Sequence, residues 1–322
     1  MYRILAATAA LALLTACGDG QPFDFGVVPP PIVEPPGLTE EEVKEQLAIS
    51  ESIAGGLDGG TYSLAAGTLT VRIPLDLGDD IDAEYERNPA LDVAGYVAFS
   101  AQSDPLDRIY IGMAARSADN SVAGVLVSDA GQFGRFFGGT TFRQIGAYSE
   151  SPASPNTGLV SYAGNYVGLS NAPATSNNIG LPVNPGTEPG LIPAQASRVT
   201  GNVFINADFG DNVVNGLIYN RTNLDANEQL NNVVLIVSTI NSNGSFLGKV
   251  QSQPVDGTAP VAIGDYGGTF GGLNASGVAG GVHLENYLDN VENEQEYGIF
   301  VLTQCGLAGD GGAICDDVQP DF

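Results

Sequence analysis

This chain of 322 residues contains no Trp, a single His and only 11 Lys and Arg. Each scarcity closes off some chemistry. A zinc hydrolase needs more imidazoles than one. A Ser-His-Asp or Cys-His nucleophile system would have to be built on His283, yet no G-x-S-x-G elbow exists. Glycosidases need only two carboxylates but usually also aromatic platforms, and the absence of Trp weighs against that reading. With 37 acids against the 11 bases, the net charge of −26 repels nucleic acid and acidic membranes. No Walker loop and no dinucleotide fingerprint follows a strand, because the Gly-Gly pairs lie inside β patterns. After the first turns of the chain no segment holds a 3.6-residue period, and no apolar run is long enough for a transmembrane helix.

What is present starts at the amino terminus. Met1–Leu14, MYRILAATAALALL, has one charge, Arg3, and an apolar run about a dozen residues long. This is a secretory h-region, and Leu14-Thr15-Ala16-Cys17 follows it. The tetrapeptide resembles the lipobox of bacterial lipoproteins, which implies cleavage of residues 1–16 as a signal peptide and acylation of Cys17, palmitate included. Gly18 after the Cys, rather than Asp, favours the outer membrane over inner-membrane retention, while Asp19 one place later keeps a periplasm-facing position open. Residues 17–38 include PFDFGVVPPPIVEPPG, a composition that favours extended polyproline II and reads as a disordered lipid tether. Thr39 and Glu42 then form a capping box, which predicts one short helix ended by the Gly55-Gly56 and Gly59-Gly60 pairs.

The remaining cysteines, Cys305 and Cys315, lie ten residues apart in an exported chain and predict a disulfide. It would staple the acidic tail, residues 306–322, to the last strand.

Between these ends, 43 Gly and short apolar runs set between Gly, Asn, Asp and Pro predict an all-β fold. Residues 39–150 hold the helix and a small antiparallel β subdomain, built from TYSLAAGTLTVRI, DVAGYVAFSA, DRIYIGMAAR, SVAGVLVSD and FGGTTFRQIGAY. Ala118-Asp119-Asn120 is the tight turn between two of these. Within it GDDIDAEYER, residues 78–87, packs Asp79, Asp80, Asp82, Glu84 and Glu86 together; it lacks the Gly and final Glu spacing of an EF-hand and reads as an exposed acidic loop. SESPASPNTG separates a second group, residues 156–305, with eight strand patterns beginning at LVSYAGNYVGL. Eight antiparallel strands joined by short turns can close into an up-and-down β-barrel; an open sandwich of the same strands is the alternative. The long stretch at 170–196 contains no credible element and marks a functional or mobile loop.

Three motifs sharpen the barrel reading: Gly164-Asn165-Tyr166-x-Gly168, GNVFINADFGDNVVNGLI at 201–218, and GDYGGTFGGLNASGVAGGVHL at 264–284. Together they resemble the barrel domain of transferrin-binding protein B-like (Slam-type) surface lipoproteins, in which a handle-like subdomain precedes the barrel. One handle-plus-barrel unit is present here, where transferrin binders have two. The resemblance implies a cell-surface, non-enzymatic, lipid-anchored protein that binds a ligand or protein, with iron or haem acquisition as its setting. It implies no cofactor, and it names no ligand-binding residue. Gly216, Gly248, Gly268, Gly280 and Gly281 fall inside predicted strands, where they permit the coiling and bulges of a small closed barrel. His283 lies in GGVHLEN and reads as a satisfied or solvent-facing residue rather than a catalytic one or a metal ligand. Two other readings stay open at this point: a structural envelope lipoprotein without a specific ligand, and a hydrolase working through an acidic pair. A transmembrane porin is set aside, because CDDVQPDF at the end cannot form a lipid-facing strand.

Overall fold

The computed structural model describes residues 49–57, 61–65, 67–73, 81–131, 136–152, 159–174, 179–253, 259–288 and 293–318. Cys17, the signal segment, the Pro-rich tether and the capping box at Thr39 lie outside the described residues. The described chain opens on one helical turn, α1 (Glu51–Ala54), continued by a 3-10 turn at Gly55–Leu57.

Seven strands then form one antiparallel meander: β1 (Thr61–Ala65), β2 (Thr68–Ile73), β3 (Ile81–Arg87), β4 (Val97–Ala101), β5 (Tyr110–Arg116), β6 (Val122–Ser128) and β7 (Gly138–Gln144). This sheet is the handle. It departs from the sequence reading in two places. TYSLAAGTLTVRI is two strands folded back at Gly67, whose φ of +83° is a turn conformation that Gly adopts without strain. The acidic stretch is not a loop over residues 81–87 but strand β3, paired along its length with β2. Alternation explains it: Glu84 and Glu86 point to water while Tyr85 points into the sheet core, so the acids occupy one face of a strand. Asp79 and Asp80 lie outside the described residues. The predicted turn at Ala118–Asn120 joins β5 to β6, with Asn120 at φ +59°.

Residues 159–303 form the barrel: β8 (Leu159–Pro173), β9 (Ala196–Asp208), β10 (Val213–Asn223), a two-residue β11 (Glu228–Gln229), β12 (Asn232–Thr239), β13 (Ser245–Gln253), β14 (Ala262–Gly271), β15 (Gly277–Glu285) and β16 (Gln295–Thr303). Its eight long strands pair in chain order, and β16 pairs with β8, so the sheet closes and no long strand has a free edge. The sandwich alternative is thereby removed. Val203, Ile205, Val214, Ile218, Tyr266, Phe270, Val282 and Phe300 fill the interior. The free wall carries polar residues between them, as Asn202, Asn206 and Asp208 do on β9. An apolar interior with a polar wall is the inverse of a transmembrane barrel.

The predicted glycines all lie in strands, but their roles differ from the expectation. Only Gly216 marks a bulge, between β10 and β12. Gly248, Gly268 and Gly280 are seats for rings: a Cβ at each would lie 2.3–2.4 Å from Tyr266, Phe246 and Phe300 respectively. The small barrel holds its aromatics because the facing strand offers no side chain.

Handle and barrel stack face to face. Ile111, Met113 and Leu126 of the handle meet Val167, Leu169 and Ile299 on the barrel wall. Ile53 of α1 is fully buried at this junction, close to Gly267 and Gly281, and its carbonyl accepts a hydrogen bond from the Thr140 hydroxyl at 3.1 Å. The tail is closed by the Cys305–Cys315 disulfide, Cα–Cα 5.5 Å. It ends in a short helix, α2 (Ala313–Val318), which packs on β8.

Candidate functional site

The two ends of the barrel differ. Tight turns at 209–212, 240–244 and 272–276 close one end. The other carries the connections 174–195, 224–231, 254–261 and 286–294. Beneath these longer connections lies a buried polar plug. Glu296 is fully buried, and its Oε1 accepts a hydrogen bond from the Tyr166 hydroxyl at 2.6 Å. Its Oε2 accepts from the Tyr287 hydroxyl at 2.6 Å and from Arg221 Nη2 at 2.7 Å. Arg221, also fully buried, donates from Nη1 to the Asn231 carbonyl at 2.8 Å and lies 5.2 Å over the Tyr287 ring. Burial and the neighbouring Glu296 charge push both phenols well above their usual value, so they stay protonated and donate. Burial alone would lower the Arg221 value; the adjacent carboxylate overrides it and holds the guanidinium charged. A carboxylate with three donors on it is no general base. It ties β8, β10 and β16 together under the loops.

A second buried pair braces the same end against the handle. Arg198 holds Asp225 from Nη2 at 2.6 Å and Nε at 3.0 Å, and its Nη1 reaches the Ala90 carbonyl at 3.4 Å.

The expected loop at 170–196 is shorter than predicted. β8 runs to Pro173, β9 begins at Ala196, and Pro189–Leu191 is a 3-10 turn. The loop docks on the handle: the Leu181 amide donates to Gln102 Oε1 at 2.7 Å, and Ile179 packs into the apolar layer between the sheets. Leu181, Leu191, Ile192, Leu224 and Val261 are exposed along the long-loop end, Val261 by 60%. Leu106, in the handle loop between β4 and β5, is exposed as well. A groove of about 330 Å³ runs between loop and handle, lined by Glu84, Glu86, Ile109, Ile179 and Leu181. These two glutamates are i and i+2 on a strand, and both are exposed.

A larger cleft, about 500 Å³, opens where handle, barrel and tail meet, lined by Tyr96, Asn120, Asn165, Thr303 and Gly311 among others. Tyr96 is locked in it: its hydroxyl donates to the Asn165 carbonyl at 2.8 Å and accepts from the Val301 amide at 3.2 Å. The disulfide loop clasps this junction. Gly309 sits against Ala118 of the handle, and Gly311 against the Ala163 carbonyl of the barrel, too close for any Cβ.

His283 is not solvent-facing. It lies on the outer side of β15, 7% exposed and stacked on Tyr297 with ring centroids 4.3 Å apart. Its Nε2 stands 3.6 Å from Glu285 and makes no hydrogen bond. Burial lowers its proton affinity below the usual histidine value. No serine or cysteine nucleophile is bonded to it among the described residues. The one grouping of potential metal ligands among the described residues is Cys305, Asp310 and Cys315, and both sulfurs are committed to the disulfide. Glu84 and Glu86 belong to no such grouping among the described residues. The plug, the Arg198–Asp225 brace and the disulfide clasp could not be found from sequence. Isolated Arg and Glu codons inside strand patterns look like surface residues until pairing places them inward.

No family model matches this chain, and no curated protein does. Solved structures do. The intact Ap-TbpB, N and C lobes, is 13% identical with a TM-score of 0.36, covering 78% of this chain and 54% of that one. The transferrin-binding protein B double mutant from Haemophilus parasuis Hp5 is 10% identical with a TM-score of 0.37, covering 77% and 53%. The isotype 1 transferrin-binding protein B from serogroup B Neisseria meningitidis is 14% identical with a TM-score of 0.29, covering 72% and 39%. The chain spans about half the length of these structures or less. At such scores the handle and barrel stand on their own strand pairing, described above.

Proposed function

We propose that this chain is a non-enzymatic surface lipoprotein, anchored through acylated Cys17 in the outer membrane, that binds a protein or other ligand with the long-loop end of its barrel. The observation that carries the reading is the row of exposed Leu181, Leu191, Ile192, Leu224 and Val261 on loops held by a rigid, plugged barrel mouth. Exposed apolar side chains gathered at one end of a domain mark an interaction surface. Among the described residues the buried carboxylates Glu296, Asp225 and Asp129 are each paired with an arginine. Glu294, also buried, accepts a hydrogen bond from the Leu288 amide at 2.6 Å and keeps one oxygen unbonded; one free buried carboxylate is short of the pair a hydrolase needs. Glu84 and Glu86 line a groove, but both stand exposed to water on the strand surface. The resemblance of the hairpin motifs to transferrin-binding protein B-like lipoproteins suggests an iron- or haem-bearing partner.

Two measurements test this. Surface proteolysis of intact cells should cleave the protein, and Cys17→Ser should release it. Purified chain lacking residues 1–16 should retain a defined component from host fluid, identified by mass spectrometry. Leu181→Ser with Val261→Ser should abolish retention, while Val237→Ser with Leu247→Ser on the barrel wall should not. Retention of nothing at micromolar concentration, or retention untouched by the loop changes, would leave the structural-lipoprotein reading in its place.

A further inference from the structure

Among the described residues of the handle, two arginines make no ion pair. Arg116 ends β5 and Arg143 lies near the end of β7, and both are in register with Ala123 of β6. Residues in register across an antiparallel sheet share a face, so Arg116, Ala123 and Arg143 form one row. That face is the one turned from the barrel, with Ala123 packed among Val125, Val127 and Phe99. Two strand spacings separate the arginines, about 9–10 Å between their Cα atoms. Ala123, fully buried, puts only a methyl between the two arginine positions. Tyr62 of β1 closes over the row, with Arg143 Cζ 4.7 Å from its ring centroid.

Three polar atoms here lack a well-aligned hydrogen bond. Tyr62 is 8% exposed, and its buried hydroxyl has the Arg143 guanidinium close by but no well-aligned hydrogen bond to it. The Nε atoms of Arg116 and Arg143 are likewise buried and unbonded. Neither guanidinium meets a carboxylate among the described residues, whereas Arg87, Arg108, Arg198, Arg221 and Lys249 each do. In a chain with 37 acids and 11 bases, two adjacent unpaired arginines are the exception. Burial lowers the Arg116 value; Tyr62 beside it pulls the other way, and the like charge of Arg143 adds a smaller lowering. An anion held between them would relieve both effects.

We propose that the Arg116–Ala123–Arg143 row, capped by Tyr62, binds a phosphate-class oxyanion, either free phosphate or a phosphomonoester headgroup. A single carboxylate is satisfied by one guanidinium fork. Two guanidinium forks on one sheet face, with a phenol beside them, supply the number and kind of donors that a tetrahedral oxyanion requires. The site lies at the far end of the handle from Leu106 and Leu181, so it is independent of the loop surface proposed above.

The test uses the soluble chain lacking residues 1–16. Inorganic phosphate, against chloride at equal ionic strength, should raise Tm by about 2–4 °C at tenfold excess over Kd. It should shift the arginine Nε–Hε resonances of Arg116 and Arg143 in the wild-type protein, a readout that needs no variant. Arg116→Gln with Arg143→Gln should lose the Tm response; Tyr62→Phe should weaken binding several-fold, and Lys249→Gln should keep it. A second arm is flotation with phosphatidylcholine vesicles, with and without phosphatidic acid. A phosphate response without vesicle association identifies a free ligand. Association that needs phosphatidic acid and both arginines identifies a headgroup. Wild-type protein that answers to neither, or responses that survive loss of both arginines, would overturn the proposal.

Discussion

The barrel and the handle are both antiparallel meanders, yet they solve burial differently. Every long barrel strand has two neighbours, and the interior is filled from its own inward side chains. The handle is open, with β1 and β7 at its edges, and its barrel-facing side is covered from outside, by α1 and by wall residues that include Val167, Leu169 and Ile299. The consequence is visible strand by strand. On β9 and β10 buried and half-exposed residues alternate, because the outer wall is wet. On β6 every residue from Val122 to Ser128 is buried, because that strand is sandwiched between the handle core and the barrel. Alternation is a signature of a strand with one wet face, and it vanishes where sheets stack.

The comparison breaks most sharply at the barrel plug. Glu296→Ala leaves Arg221 charged in a dry interior, and should cost about 3–5 kcal/mol in denaturant unfolding. A smaller effect tests the clasp between the two bodies. Replacing both Cys305 and Cys315 with Ala opens a ten-residue loop and should cost about 2–3 kcal/mol. Hydrogen exchange should then quicken around Ser161–Ala163, where the Cys305 amide now bonds the Ser161 carbonyl at 2.9 Å.

The interface itself should respond to pH through His283. Burial depresses its proton affinity in the folded state below the ordinary 6.5, so the unfolded chain takes up the proton first. Its contribution is intact above that value and is lost as pH falls between it and the lower folded value. His283→Gln should flatten the slope of Tm against pH in that window; an unchanged slope would show that the imidazole does not govern it. The smallest effect belongs to the uncovered wall. Val237→Ser removes an exposed side chain and should stay within about 0.5 kcal/mol of wild type. A larger loss would mean that this wall is covered in solution.

Legibility follows the same division. The eight barrel patterns read from the residues are the eight long strands observed, with boundaries moved by a few positions at Pro173 and Ala196. Their signal was strong because apolar and polar residues alternate under a wet wall. The handle was under-read. Gly67 hid a hairpin inside one apparent strand, and the charges of Asp82, Glu84 and Glu86 masked β3, whose apolar content is little more than Tyr85. The disulfide was visible from spacing alone, since ten residues and an exported context leave few arrangements. The glycines were found but their purpose was not. That Gly280 seats Phe300 depends on a register between two strands that no local pattern records.

Composition and periodicity set the class of this protein: β throughout, acidic, poor in catalytic groups, with a lipoprotein-like start and a stapled tail. Those are local properties, written in residue type and spacing of two. Which arginine faces which glutamate, which histidine is buried and which two arginines stand unpaired are long-range facts. They follow from closure of β16 on β8 and from the docking of one sheet on another. Both bring together residues distant along the chain, and a pairing of that kind leaves no trace in the neighbours of either partner.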